Sequence, residues 1–197
     1  YLFSLNYQPK ISAQEVMQAH IDWGRQFEEK NAALKDKVNK SPLRRIGYIS
    51  SDLNTHPVAF FLEPLLRYHD KSRYELFCYY TKNHHDSVTE DLKSKSEHWR
   101  DVYGLDDDEL EILMLQDNLD IIIDLAGHTG GNRLRALSRR MAPLQLTWLG
   151  YPNTTGLQSM DYRIVDEWTD PTGPAESLMT EKPLRLEQGF LCYQGNA

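Results

Sequence analysis

The sequence contains few cysteines and no long apolar run. Its two cysteines, Cys78 and Cys192, lack CxxC or CxxH spacing, which argues against a structural zinc site and predicts two buried thiols in a reducing compartment. No apolar stretch approaches the ~20 residues that span a bilayer. We therefore predict a cytoplasmic protein with no metal site and no membrane partner.

Positive charge is also scarce. The 197 residues include 29 acidic and 22 basic side chains, which gives a formal net charge of -7. Because a protein that binds nucleic acid through its phosphates needs the opposite balance, we predict no nucleic-acid partner. Hydrophobic residues make up 40% and charged residues 26%, as in a globular protein, and the length suits one ordinary domain.

The N-terminal segment differs from the rest and predicts a helical leader over residues 1–42. No signal pattern precedes it, and the chain starts at Tyr1 rather than at methionine, so we expect a piece of a longer protein. Ser12 and Glu15 have the spacing of a capping box. Apolar side chains then recur with a helical period at Val16, Ala19, His20, Trp23 and Phe27.

This pattern predicts a helix over residues 12–35, followed by a basic, polar linker at 35–40 that Pro42 closes. Such a leader docks on the main domain or joins it to an upstream segment.

From residue 43 to residue 197 the sequence alternates between strand and helix patterns. The predicted strands are 45–50, 74–80, 99–103, 120–126, 144–150 and 161–165. Helical or apolar segments separate them at 58–68, 87–96, 106–116 and 132–140. The runs DIIIDLA (120–126) and LQLTWLG (144–150) are typical of strands covered on both faces. We therefore predict an α/β fold with a doubly wound, mostly parallel sheet.

Ligands of such sheets lie outside the carboxyl ends of the strands. Three predicted strands end in small, hydroxyl-rich or glycine-rich loops, namely 50–57 (SSDLNTHP), 127–132 (GHTGGN) and 151–156 (YPNTTG). We expect these loops to converge on one edge of the sheet and to form the candidate site.

His56 is the first candidate residue, because it directly precedes Pro57, and proline is favoured in the first turn of a helix. The positive end of the helix dipole disfavours an imidazolium and keeps the ring neutral. A neutral imidazole can accept a proton from a hydroxyl or help to hold a phosphate. The alternative is that His56 only caps the helix, which Pro64 is expected to kink or shorten.

His128 is the second candidate, in the loop GHTGG (127–131), where glycines permit positive φ and close approach of the backbone to a ligand. This loop is neither a Walker A motif nor GxGxxG, and the sequence fits ligand contact and a plain tight turn equally well. Asp124 lies near the carboxyl end of an apolar strand, where a carboxylate needs partners. It is interpreted as structural, with catalysis as the alternative.

Other polar residues are interpreted as parts of the surface. His84 and His85 are predicted in an exposed loop, and the acidic run 106–109 as a solvated helix start. A basic cluster either faces a partner or an anion, or forms a solvated helix face; it comprises Arg133, Arg135, Arg139 and Arg140. Three further histidines lack a partner at metal-ligand spacing, namely His20, His69 and His98.

Several long strings of the sequence resemble the catalytic region of O-GlcNAc transferases. They are RIGYISSD (45–52) with NTHP (54–57), APLQ (142–145), WLGYPNTTG (148–156) and MDY (160–162). The leader, through LNY (5–7), AH (19–20) and WG (23–24), resembles the segment that links tetratricopeptide repeats to that region. Three strings look closer to the SPINDLY branch and its bacterial relatives, namely GHT (127–129), NTTGL (153–157) and FLCY (190–193).

The resemblance implies a glycosyltransferase of the GT-B architecture, in which two Rossmann-like halves face a cleft and residues 43–197 form the N-terminal half. It implies an inverting, metal-independent transfer of GlcNAc from UDP-GlcNAc to Ser or Thr hydroxyls of a protein acceptor, with no cofactor. A C-terminal half, which these residues do not include, would bind most of the nucleotide sugar. The fragment alone is therefore expected to be inactive.

By the same resemblance, His56 matches the active-site histidine of the family, either as the general base or as a group that positions substrate. The matching substrate-binding residues are Asn54, Asp117, Gly127, His128, Thr129, Tyr151, Pro152, Asn153, Thr154, Thr155 and Gly156. Asp117 corresponds to an acidic position of the acceptor region, although residues 118–120 diverge. His128 stands where the animal enzymes have tyrosine.

The resemblance leaves more than one function open. Because plant SPINDLY proteins transfer fucose from GDP-fucose, a protein O-fucosyltransferase is the first alternative. A non-catalytic module that binds the acceptor is the second. A sugar-nucleotide epimerase of the same architecture is a third alternative, against which the strings around His56 and Tyr151 argue.

Overall fold

The computed structural model describes residues 1–27 and 41–195. In these ranges, seven parallel strands form one sheet in the order β3-β2-β1-β4-β5-β6-β7. The strands are β1 Arg44–Ser50, β2 Tyr74–Tyr80, β3 His98–Asp101, β4 Ile121–Asp124, β5 Leu144–Trp148, β6 Tyr162–Val165 and β7 Lys182–Arg185. The helices are α1 Leu2–Leu5, α2 Ala13–Gly24, α3 Pro57–Tyr68, α4 Ser87–Lys95, α5 Asp107–Asp117 and α6 Leu134–Leu137, with a 3₁₀ helix at Ala175–Leu178.

The strand order reverses between β1 and β4, which makes the sheet doubly wound. On one face, α3 and α4 bury side chains against Tyr48 and Cys78. On the other face, α5 and α6 pack against Ile49 and Ile122. The central strands are therefore covered on both sides, which explains their continuous apolar runs. The predicted doubly wound, mostly parallel α/β fold is confirmed.

The leader docks on the sheet domain through a close backbone contact. Ser12 and Glu15 form the predicted capping box, and α2 begins at Ala13. The helix ends at Gly24, earlier than predicted, and a Cβ built on Gly24 would lie 2.2 Å from the carbonyl oxygen of Gly156. The remainder of the predicted helix (28–35) and the linker (35–40) lie outside the described residues. The domain boundary at residue 42 stays a prediction.

Four local features differ from what the sequence led us to expect. The strand β7 was missed because Lys182–Arg185 (KPLR) is polar and contains proline, which only an edge strand tolerates. The helix predicted at 132–140 shortens to Leu134–Leu137, since Arg140 adopts a left-handed φ of 55°. The helix α3 continues past Pro64 to Tyr68. Cys192 is only half-buried, because it lies in an irregular segment after β7.

The continuation of α3 has a local reason. Pro64 has no N–H to donate to the carbonyl of Phe60, and Phe60 is on the exposed side of the helix. The helix therefore loses one hydrogen bond, while Leu62 and Leu66 on either side of Pro64 stay buried in the core.

Candidate functional site

The loops that follow β1, β4 and β5 lie side by side at the carboxyl edge of the sheet, because these strands are neighbours. Two hydrogen bonds connect the loops directly. The hydroxyl of Ser51 donates to the carbonyl of Gly130 at 2.8 Å, and Nε2 of His128 donates to the carbonyl of Thr155 at 2.8 Å. The three loops thus form one surface at the strand ends where the order of the sheet reverses.

His56 is the N-cap of α3, and its ring is half-exposed at this edge. Its Nδ1 accepts a hydrogen bond of 3.3 Å from the backbone N–H of Val58, so the proton of the neutral ring lies on Nε2. Nδ1 is also 3.9 Å from a carboxylate oxygen of Asp52. In this tautomer Nε2 can donate to a ligand oxygen. To accept a proton at Nε2, the ring must carry its own proton on Nδ1, facing Asp52.

Asn54 holds the loop of His56 to the neighbouring strand. Its side chain is buried, and Nδ2 donates to the hydroxyl of Tyr80 at 2.9 Å. The Tyr80 hydroxyl in turn donates to the carbonyl of His84. The amide of Asn54 therefore contributes to the position of His56 through the loop. The imidazole of His84 is exposed, as is that of His85.

Asp124 fixes the loop that carries His128. Its fully buried carboxylate accepts from the N–H of Gly127 at 2.8 Å, the N–H of Ala126 at 3.2 Å and the hydroxyl of Thr147 at 3.0 Å. Burial, opposed by these hydrogen bonds, raises the pKa of Asp124 to about 6. These contacts support the structural interpretation of Asp124.

Gly127 and Thr129 shape the same loop. Gly127 has a φ of 52°, and a Cβ built there would lie 2.2 Å from Cβ of Tyr151, so both the backbone and the packing require glycine. The hydroxyl of Thr129 donates to the carbonyl of Ala126 at 2.8 Å. The loop is a tight turn held by internal hydrogen bonds.

His128 is half-buried between the leader and the loop of Tyr151. Its ring centre lies 4.6 Å from that of Trp23 and 5.0 Å from that of His20. Burial lowers the pKa of His128 to about 4, so the ring is neutral near pH 7. Since Nε2 donates to the Thr155 carbonyl, Nδ1 carries the lone pair and is the acceptor atom of this residue.

His20 belongs to the site region, although its sequence pattern suggested only an apolar helix face. It is completely buried, and its Nδ1 donates to the carbonyl of Val16 at 2.7 Å. Its Nε2 accepts from the hydroxyl of Tyr151 at 2.7 Å. Burial lowers the pKa of His20, which keeps the ring neutral. Only an unexplained histidine among the apolar positions of α2 could have indicated this role.

Asn6 adds a second anchor between the leader and the same loop. Its amide donates to the hydroxyl of Tyr151 at 3.0 Å and accepts from Nδ2 of Asn153 at 2.9 Å. Pro152, between these two, is exposed. Tyr151 and Pro152 also line a cavity of about 380 Å³ beside the ends of β5 and β6.

Thr154 and Thr155 are buried, and both hydroxyls donate to the carboxylate of Glu181. Gly156 follows with a φ of 76°, packed against the carbonyl of His20. These three residues shape the loop from inside and present no free hydroxyl to a ligand. Glu181 was missed, because a single glutamate in TEKP (180–183) carries no sequence signal.

Asp117 does not join the other candidates. It is the last residue of α5, and its carbonyl accepts from Arg45 near the amino end of β1, opposite to the candidate edge. Its carboxylate accepts from the hydroxyl of Tyr79 at 2.6 Å and from Arg100 at 2.8 Å. These contacts give Asp117 a structural role away from the other candidates, and substrate binding by Asp117 stays a prediction.

The basic cluster is paired within the chain. Arg133 and Arg135 lie within ion-pair distance of Asp107, and Arg139 contacts Asp108 and Glu111. Arg140 pairs with the carboxylate of Asp161 at 2.8 Å. These carboxylate partners argue against an open anion site, and the Arg135 side chain stays largely exposed to solvent.

Two kinds of feature are absent from the residues that the structure describes. Residues 1–27 and 41–195 contain no group of three or more His, Cys, Asp or Glu side chains placed to hold a metal ion. In the same ranges, no helix has the length and apolar character needed to cross a membrane.

The doubly wound sheet, with its polar loops at the switch-point edge, defines a Rossmann-like α/β domain. Residues 21–193 match the sequence profile of the family described as glycosyl transferase family 41, and the chain belongs to this family. The resemblance found in the sequence is thereby confirmed.

Similar proteins agree with this assignment. SPINDLY of Solanum lycopersicum, named a probable UDP-N-acetylglucosamine–peptide N-acetylglucosaminyltransferase, is 38% identical over 98% of this chain and 21% of its own length. The UDP-N-acetylglucosamine–peptide N-acetylglucosaminyltransferase of Caenorhabditis elegans is 38% identical over 74% of this chain and 13% of its own length. A solved mutant of the Thermobaculum terrenum O-GlcNAc transferase matches with a TM-score of 0.90 and 38% identity, over 96% of this chain and 37% of that chain. This chain spans about a fifth of the length of the SPINDLY relatives.

Proposed function

We propose that this chain is the N-terminal catalytic half of a protein O-GlcNAc transferase, which moves GlcNAc from UDP-GlcNAc to Ser or Thr hydroxyls of an acceptor protein. One observation carries the proposal: His56 stands at the carboxyl edge of the sheet beside the loops of His128 and Tyr151. Family membership and the names of the relatives support the choice of reaction.

In the proposed inverting reaction, the acceptor oxygen bonds to the anomeric carbon while the bond from that carbon to the diphosphate oxygen breaks. The diphosphate takes the electron pair of the broken bond, and the proton of the hydroxyl passes to a base, either His56 or an oxygen of the leaving diphosphate. His56 can serve in two ways: as an Nε2–H donor to an oxygen, or, with its own proton on Nδ1 facing Asp52, as the base. The nucleotide sugar is the co-substrate, and the reaction needs no metal or other cofactor in this proposal.

A second candidate donor is GDP-fucose, which would make the protein a SPINDLY-like O-fucosyltransferase. The observation in its favour is His128, a neutral acceptor at Nδ1 in a position where the animal enzymes have tyrosine. A hydroxyl of tyrosine can also donate a hydrogen bond, whereas Nδ1 in this tautomer only accepts. The two side chains would therefore select different partners on a sugar.

The proposal assigns most of the nucleotide contacts to a C-terminal half beyond these 197 residues. We accordingly expect residues 1–197 to fold alone and to show no turnover. Upstream tetratricopeptide repeats and a cytoplasmic location stay predictions.

The test uses the intact protein that contains this chain, incubated separately with UDP-GlcNAc and GDP-fucose in the presence of cell-lysate proteins. Mass spectrometry of Ser- and Thr-containing peptides then reports the added sugar. His56→Ala is compared with His84→Ala, a matched change of an exposed histidine in the neighbouring loop.

Transfer from one donor, greatly reduced in His56→Ala and retained in His84→Ala, supports the enzyme and names the sugar. Transfer that survives His56→Ala removes this residue as an essential group. No transfer from either donor favours the non-catalytic acceptor-binding module.

A further inference from the structure

Glu181 is a buried carboxylate that the proposed reaction does not use directly. It precedes β7 and is 3% exposed. It accepts from the N–H of Thr155 at 2.7 Å, from the hydroxyl of Thr154 at 2.6 Å and from the hydroxyl of Thr155. Across residues 1–27 and 41–195, no Lys or Arg lies within ion-pair distance of it. A carboxylate in such a place is costly unless its hydrogen bonds are retained.

The hydroxyls of Thr154 and Thr155 connect Glu181 to the backbone of the turn. While each donates to Glu181, the hydroxyl of Thr154 accepts from the N–H of Gly156 at 3.1 Å, and that of Thr155 accepts from the N–H of Leu157 at 3.3 Å. The hydroxyl of Thr154 also accepts from the N–H of Thr180. The carboxylate therefore determines which way both hydroxyls point, and the hydroxyls satisfy the buried amides of a turn that contains a left-handed glycine.

The same turn presents the carbonyl that fixes His128. The Thr155 carbonyl accepts from Nε2 of His128 at 2.8 Å, which assigns the proton of the neutral ring to Nε2 and leaves Nδ1 as an acceptor. Thr155 therefore connects the two side chains. Its N–H and its hydroxyl bind Glu181, and its carbonyl binds His128. Glu181 therefore fixes the position of the carbonyl that holds the imidazole of His128.

We propose that Glu181 is a positioning residue of the transfer site, which acts through Thr155 to hold His128 as a neutral Nε2–H tautomer with Nδ1 available to a substrate donor group. The inference rests on the proposed function, because it concerns the same loops. The inference adds to the proposed function a residue outside the recognised motifs. It also names the contact that His128 makes: Nδ1 accepts a hydrogen bond from an O–H or N–H of the sugar or the acceptor.

The experiment is a double-mutant cycle in the intact protein, with kcat and KM measured for donor and acceptor. The variants are Glu181→Gln, His128→Asn and the pair together, with the unfolding midpoint of each as a check on folding. An amide keeps the shape of Glu181 but offers one acceptor oxygen to three donors. Glu176→Gln is the matched control, since Glu176 lies in the same crossover and contacts Arg185 rather than the loop.

We expect Glu181→Gln to lower kcat/KM by about 10- to 100-fold, as displacements near 1 Å can do, and Glu176→Gln to leave it unchanged. If Glu181 acts through His128, the double variant loses no more than the larger of the two single losses. Losses that multiply, or a Glu181→Gln variant with the same kcat/KM as Glu176→Gln, would overturn the inference.

Thr155→Val is the milder second variant, for use if Glu181→Gln does not fold. It removes one of the three hydrogen bonds to the carboxylate and keeps the N–H and the carbonyl. It should show a smaller loss with the same dependence on His128, and independence from His128 would contradict the inference. Absence of transfer in the unmodified protein would instead refute the proposed function, on which this inference rests.

Discussion

The hydroxyl of Tyr151 donates to Nε2 of His20 across a hydrogen bond of 2.7 Å that joins residues 131 positions apart in sequence. The bond is buried, and it connects the helical leader to the loop that follows β5. The imidazole of His20 in turn donates a hydrogen bond from Nδ1 to the Val16 carbonyl. The leader is therefore part of the structure that holds the candidate site, and not an independent appendage.

Tyr151→Phe should reveal the value of this contact. The change leaves Nε2 of His20 buried without a hydrogen-bond donor. We therefore expect the free energy of unfolding of residues 1–197 to fall by about 1–3 kcal/mol. Denaturant titration measures the difference. Tyr103→Phe, at an exposed tyrosine, serves as the control and should leave the midpoint in place. Equal midpoints for the two variants would show that the buried bond contributes nothing.

Gly127→Ala should be far more harmful than the same change three residues later. At Gly127 the φ is positive and a Cβ would lie 2.2 Å from Tyr151, whereas nothing lies within 4 Å of a Cβ on Gly130. In denaturant titrations, we expect Gly127→Ala to lower the free energy of unfolding by more than about 2 kcal/mol. Gly130→Ala should change it by less than about 1 kcal/mol. Comparable losses at both positions would contradict the described turn.

Much of this architecture could be predicted from the sequence. The apolar runs around Ile122 and Leu146 predicted strands covered on both faces, and the residues after them predicted the loops of the candidate edge. These features are local, because a strand buried on both faces must be apolar and a left-handed turn favours glycine. The position before Pro57 indicated His56, and the resemblance to the family then matched it to an active-site histidine.

The rest depended on contacts between distant segments. Glu181 meets Thr155 only because the crossover between β6 and β7 brings it against the loop that follows β5, and His20 meets Tyr151 only because the leader docks on that loop. Asp117 shows the opposite case. The resemblance to the family suggested substrate binding, whereas the end of α5 places Asp117 at the other edge of the sheet, where Arg100 and Tyr79 bind its carboxylate.

Asp124 and His128 should give opposite pH dependences to stability. The folded pKa of Asp124, about 6, lies above the ordinary carboxyl value, so the folded state alone holds this proton between about pH 4 and 6. Raising the pH through that window therefore lowers the free energy of unfolding. The folded pKa of His128, about 4, lies below the ordinary value of 6.5, so raising the pH from 4 to 6.5 has the reverse effect.

Single substitutions should separate these two contributions. In Asp124→Asn, the free energy of unfolding of residues 1–197 should rise more steeply from pH 4 to 6 than in the unmodified chain. In His128→Asn, it should rise less steeply or fall. Denaturant titrations at several pH values measure both slopes. Parallel curves for all three proteins would contradict the assigned burial of these groups.

His56→Asn should separate capping from chemistry. Asparagine is a good N-cap, so the stability of α3 should be retained, whereas His56→Ala should cost about 0.5–2 kcal/mol. Both variants lack the imidazole, and both should lose transfer in the intact protein to the same extent. Full activity of His56→Asn would show that the residue acts only as a cap.

The central claim is that the carboxyl edge formed by the loops 50–57, 127–132 and 151–156 receives the substrates. Hydrogen exchange of the intact protein tests it most directly, with and without UDP-GlcNAc or GDP-fucose together with a glycosylated acceptor peptide. We predict slower exchange in these three loops and unchanged exchange around Arg45 and Asp117 at the opposite edge. Protection confined to the Asp117 edge, or none in any of the three loops, would contradict the account.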